Sequence, residues 1–82
     1  MKKVWVVQYR EFGEVGLEDQ IYLCSTEEYA RQRAYNVLWG ILEWRLQGTG
    51  TDIPSTLEDA EQLCLYKGYA YINIYEQEVD NG

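Results

Sequence analysis

Fourteen Asp and Glu residues, two cysteines and no histidine make up most of the chemically able side chains of this 82-residue chain, and they already exclude most enzyme designs. Without histidine, no side chain has an ordinary pKa near neutrality for general acid–base work. The sequence has no Gly-rich phosphate loop and no nucleophile elbow, and neither Ser nor Cys has an evident base. Cys24 and Cys64 fall in apolar company inside predicted elements, without the dense spacing of a secreted disulfide framework, and both read as buried thiols. Two cysteines cannot complete the four-ligand sets of structural zinc, although carboxylate-only metal sites stay open. Glu76 and Glu78 stand two apart on a predicted strand and share a face, but near a fraying end where neither is desolvated enough for catalysis. The expectation is a protein with no catalytic residues and no cofactor.

Binding is what such acids can do. Seven Lys and Arg leave a net charge of −7, which opposes direct nucleic-acid binding, because phosphate contacts need cations that release counterions. The same charge keeps a small protein in solution and attracts basic surfaces, of which nucleic-acid-binding proteins are the richest source. Glu27, Glu28 and Glu58 sit where helix starts are expected, so capping and the helix dipole account for them. Glu14, Glu18 and Asp19 in an early Gly-containing loop, and Glu76 and Glu78 near the end, are the acids left for a partner. Tyr71 and Tyr75 add large, rigid contact area of the kind that dominates interface energetics. The expected partner is a basic, nucleic-acid-handling protein.

Five elements must position these groups. Residues 3–10 concentrate β-branched and aromatic side chains on both parities, the pattern of a central strand buried on both sides. Residues 11–19 read as a loop, and residues 20–24 as a second strand. Ser25-Thr26-Glu27-Glu28 predicts a capping box with Ser25 as the cap, opening a helix that runs to about Gln47, with Glu27 and Arg31 as an i,i+4 ion pair. On it Ala30, Ala34, Val37, Ile41 and Trp44 form one apolar stripe, and Tyr35, Trp39, Leu42 and Leu46 form a second. Packing on one sheet needs only the first, so the second meets the later helix, a second copy through a self-complementary dimer face, or a partner. Ser55-Thr56-Leu57-Glu58 predicts a shorter helix ending near Gly68, with Leu57, Ala60 and Cys64 on its apolar face. Residues 69–79 alternate, with Ala70, Ile72 and Ile74 toward the core and Tyr69, Tyr71, Asn73 and Tyr75 away from it; Trp5, Tyr9 or Tyr22 could extend that aromatic patch.

The expected fold is therefore α+β in the order β-β-α-α-β: a small antiparallel or mixed sheet of about three strands, with one long and one short helix on one face. Residues 1–82 form one domain, with 80–82 a frayed tail. No run reaches the roughly 18 apolar residues of a membrane span, and no signal-peptide core follows Met-Lys-Lys, which points to the cytoplasm.

The opening Lys-Val-Trp-Val-Val-Gln-Tyr, the turn Ser25-Thr26-Glu27-Glu28-Tyr29-Ala30 into a helix, and the closing Tyr-Ile-Asn-Ile-Tyr-Glu-Gln-Glu-Val strand resemble short proteins encoded by phages and other mobile elements. That resemblance is one of pattern over most of the chain and transfers no functional residue. It implies a class of accessory proteins that includes host-takeover factors and inhibitors of defence systems such as CRISPR nucleases, where acidic surfaces block nucleic-acid sites. The function expected is a non-enzymatic inhibitor or modulator, with a structural or regulatory homo-oligomer as the alternative.

Overall fold

The computed structural model describes residues 2–13 and 19–79, and within them the fold is α+β. The elements are β1 (Lys2–Glu11), β2 (Gln20–Cys24), α1 (Glu27–Arg45), α2 (Leu57–Lys67) and β3 (Ala70–Val79). The three strands form one antiparallel sheet in the order β2-β1-β3, with β1 at its centre as its two-sided apolar pattern predicts. Val6 and Val7, adjacent and therefore on opposite faces, are both buried. Glu14 and Glu18, with the tail 80–82, lie outside the described residues.

Both helices cover the same face of the sheet. Val7, Ala70 and Ile72 join Ala30, Ala34, Leu38, Ile41, Leu42 and Leu46 of the α1 side and Leu57, Ala60 and Cys64 of α2 in a single core. Arg31 near the start of α1 pairs with Glu58 at the start of α2, and Arg45 at the end of α1 lies over the ring of Tyr69 just past α2. The helices therefore run side by side in the same direction, and residues 46–56 return along the length of α1. Tyr35 fastens that return, its hydroxyl donating to the Pro54 carbonyl at 2.7 Å.

The two stripes expected on α1 differ from the ones observed. Its buried line is Ala30, Ala34, Leu38, Ile41 and Leu42, continued by Leu46; Leu38, absent from both expected stripes, is fully buried at its centre. Trp44, assigned to the sheet-facing stripe, is instead half-exposed. Leu42 and Leu46, expected either under the later helix or on a dimer face, are in the chain's own core, because a helix packed against both a sheet and a neighbouring helix buries a wide arc. Of the four proposed interface residues only Trp39 is well exposed, since Tyr35 is half-buried against the returning loop.

The caps also fall one residue later than expected. Thr26 and Thr56, both in extended conformation, are the N-caps, and their hydroxyls accept from the Tyr29 and Asp59 amides. That shift leaves Ser25 outside the helix, and it leaves Glu28 and Glu58 in the first turn as charges that favour the dipole. α1 ends at Arg45 rather than Gln47. Gly68 closes α2 in the left-handed conformation at φ 70°, and the next amide, Tyr69, donates back to the Cys64 carbonyl at 2.9 Å.

Candidate interaction surfaces

Directly paired residues of an antiparallel sheet share a face, so the register sorts every strand side chain. Trp5 with Cys24 and Glu76, Val7 with Tyr22 and Ile74, and Tyr9 with Gln20 and Ile72 point to the helices. Val6 with Leu23 and Tyr75, Gln8 with Ile21 and Asn73, and Arg10 with Tyr71 point the other way. Among the described residues no helix covers that second face. Leu23 is 69% and Ile21 56% exposed there, with Tyr71 and Tyr75 open beside them. Val6 is nonetheless only 1% exposed, screened by its cross-strand neighbours.

Alternation thus separates residues expected to act together. Tyr71 and Tyr75 lie on the open face; Glu76 and Glu78 lie on the helix side of the same strand. Trp5, Tyr9 and Tyr22 do not extend the tyrosine patch, because their parity puts them against the helical layer, where the Tyr9 and Tyr22 rings stack at 5.9 Å. Asp19 accepts from Arg10 Nε at 2.6 Å and from Gln8 Nε2 at 2.8 Å, so its charge is compensated within the chain. Ile21 and Leu23 are the functional candidates that sequence reasoning passed over. Their signal was the unbroken apolar run Ile21-Tyr22-Leu23-Cys24, which has no polar parity to face water.

A second feature arises from topology. Cys24 leads into α1, and it lies across Trp5 from Glu76, so the start of α1 is at the same end of the sheet as the last residues of β3. The Arg31–Glu58 pair brings the start of α2 there too. Glu27, Glu28, Glu58, Asp59, Glu61, Glu76 and Glu78 consequently share one end of the molecule, opposed by Lys2, Lys3 and Arg31. Arg31 holds the Glu58 carboxyl below the usual carboxylate range by hydrogen bonding, while the nearby Glu27 and Glu61 add to the field on Arg31. Lys3 Nζ approaches Glu76 at 3.6 Å in an exposed pair of the kind that contributes little to stability.

The grooves found among the described residues are small and shallow. Surface grooves of about 230–300 Å³ lie at or below the lower end of typical ligand pockets, ~300 Å³, and are lined largely by exposed residues. Among the described residues no group of three or more His, Cys, Asp or Glu could hold a metal ion, and no helix is long and apolar enough to cross a membrane. Burial pushes the Cys64 thiol up to about 11, which keeps it protonated and unreactive at neutral pH. A thiol reagent at pH 8 is expected to modify the half-buried Cys24 first and Cys64 only as the protein unfolds; equal rates at both would contradict this core. Burial, followed by the hydrogen bond with Tyr22, raises Tyr9 to about 12. A raised folded pKa means that the neutral phenol's contribution is complete below the ordinary value near 10 and is lost as pH rises toward 12. Stability should therefore fall through that window, and less steeply in Tyr9→Phe, as alkaline chemical denaturation would read.

No family model, curated protein or solved structure matches this chain.

Proposed function

We propose that the chain is a non-enzymatic binding protein that inhibits or modulates a basic, nucleic-acid-handling protein, in the manner of anti-CRISPR-like and host-takeover factors. The observation that carries this reading is the pairing of an uncovered apolar sheet face with an acidic end on a molecule of net charge −7. Aliphatic and aromatic anchors such as Leu23 and Tyr75 supply desolvation energy on binding. The acids steer encounter and select for basic partners, which makes association salt-dependent.

The test begins with tagged protein, capture from the native host and identification of the bound protein. Leu23→Lys is expected to weaken the captured complex at least tenfold at every salt concentration, consistent with loss of a central anchor. The double reversal Glu76→Lys with Glu78→Lys should slow association and flatten its salt dependence. A partner whose affinity ignores both salt and these substitutions would refute the proposal.

A homodimer remains the second reading, now through the open sheet face. That face carries Arg10 and Asp19 as an internally balanced pair beside the neutral Gln8 and Asn73, so two stacked copies would bring no unpaired acids of this region against each other. Strands of ten, five and ten residues cover only about 400 Å², short of the ~800 Å² per partner of a standard interface. Sedimentation that finds a monomer at high concentration would remove this reading.

A further inference from the structure

β3 is an edge strand: β1 pairs with one side of it and, among the described residues, no strand pairs with the other. The phase of the ladder identifies the backbone groups that face the open side. The Phe12 N–H donates to the Tyr69 carbonyl at 2.8 Å, which marks that pair as a hydrogen-bonded position. Hydrogen-bonded and non-hydrogen-bonded pairs alternate along an antiparallel ladder. Tyr71, Asn73, Tyr75 and Gln77 thus turn their N–H and C=O groups toward β1, whereas Ile72, Ile74, Glu76 and Glu78 turn theirs outward. The side chains of these outward-bonding residues lie on the helix side of the sheet.

Beside this edge runs a groove of about 240 Å³, lined by Leu57, Ile72 and Ile74 together with Asn73, Arg31, Glu58 and Glu61. Arg31 is engaged by Glu58, so the groove carries one more carboxylate than guanidinium. The strand then continues outward with Glu76 and Glu78 on the same side. Edge strands that are left bare normally carry charge, proline or a bulge to prevent pairing; β3 has no proline, and its charges are all negative. Such an edge repels a second acidic copy and admits a basic strand.

We infer that β3 takes up an extended segment of a basic protein as a fourth, antiparallel strand. In the segment's own direction, Lys or Arg at two alternate positions meets Glu78 and Glu76, and apolar side chains at the next two alternate positions fill the groove beside Ile74 and Ile72. Main-chain bonds give the affinity and the alternating side chains give the choice of sequence. The inference rests on the reading of the chain as a binder of a basic protein and names the backbone edge that does the binding.

The test is a nitrogen-15 NMR titration of the full chain with the synthetic peptide Thr-Lys-Thr-Lys-Thr-Val-Thr-Val-Thr and its counterpart with Glu in place of Lys. Before peptide is added, the amides of Tyr71, Asn73, Tyr75 and Gln77 should exchange slowly and those of Ile72, Ile74, Glu76 and Glu78 quickly. The Lys peptide should slow exchange at the second set, and the Glu peptide should not. Glu76→Pro removes one outward N–H and no bond to β1, so it should weaken binding at least tenfold, against two- to threefold for Glu76→Gln, which removes the charge alone. Slow exchange at Tyr71 and Asn73 in Glu76→Pro reports that the sheet is intact. Outward amides still unprotected at millimolar peptide, equal binding by the two variants, or shifts confined to Ile21 and Leu23 would each overturn the inference. Concentration-dependent protection of the outward amides without peptide would also overturn it, by assigning the edge to a second copy. A basic partner lost on Leu23→Lys but unaffected by Glu76→Pro would overturn the edge and leave the binding function standing.

Discussion

Leu42→Ala is expected to lower the unfolding free energy by about 2–5 kcal/mol, by an amount that does not change with protein concentration. The side chain is fully buried, in the same cluster as Leu38, Ile41, Leu57 and Cys64. Truncation removes its transfer free energy and leaves a cavity that helices anchored at both ends cannot easily close. Domains of this size have stabilities of only about 5–15 kcal/mol, so a loss at the upper end would leave much of the protein unfolded at room temperature. Denaturant titration at two protein concentrations a hundredfold apart checks this. If Leu42 instead sat in a dimer interface, the midpoint of the variant would depend on concentration far less than that of the wild type, because dimerisation couples stability to mass action. Trp39→Ala, by contrast, should change stability by much less, since that ring is 42% exposed.

Arg45→Ala should produce the second large loss, about 2–3 kcal/mol, at the opposite end of the molecule from the acidic cluster. Its guanidinium donates to Glu11 from Nη2 at 3.2 Å and from Nε at 3.3 Å, and it also donates to the Phe12 carbonyl. It lies over the rings of Trp44 and Tyr69, 4.7 and 5.3 Å from their centroids. One residue thereby ties the end of α1 to the end of β1 and to the start of β3. The side chains of Arg45 and Glu11 are 19% and 17% exposed, so the loss lies below the ~3–5 kcal/mol of a fully buried pair that loses one partner. Glu11→Gln should cost less, because the amide oxygen still accepts from Arg45 and from Trp44 Nε1, which donates at 3.2 Å. A double-mutant cycle on Glu11 and Arg45, read by denaturant unfolding, measures the coupling; additive losses would mean that Arg45 acts through its stem and ring contacts alone.

Element types were legible because each rests on a local rule. Alternation in residues 70–79, β-branched residues in β1 and Ser-Thr capping turns before both helices are contained within windows of a few residues. The central position of β1 was also legible, since only a strand flanked on both sides supports apolar residues on both parities. Boundaries shifted by one or two positions where two residues compete for one role. Ser25 and Thr26 both cap well, and the chain uses Thr26, whose hydroxyl reaches the Tyr29 amide at 3.1 Å.

The candidate surfaces were less legible. Tyr71, Tyr75, Glu76 and Glu78 are neighbours in sequence, yet alternation puts the tyrosines on the open face and the acids on the helix side. Arg31 was expected to pair with Glu27 along its own helix and pairs with Glu58 across the helix interface. Leu38 was missed because the stripes expected on α1 were drawn on either side of it, when the helix in fact centres its buried arc there.

By itself, then, the sequence determined the five elements, their order, the lack of histidine and the acidic balance, all of which follow from composition and from the 2.0 and 3.6 residue periods. Tertiary structure alone decided which sheet face stays bare, which edge of β3 presents its amides, and that the acids of α1, α2 and β3 converge on one end. Those outcomes depend on register and on the side of the sheet to which the helices return. Such contacts join residues far apart in the chain, and no local pattern encodes their partners.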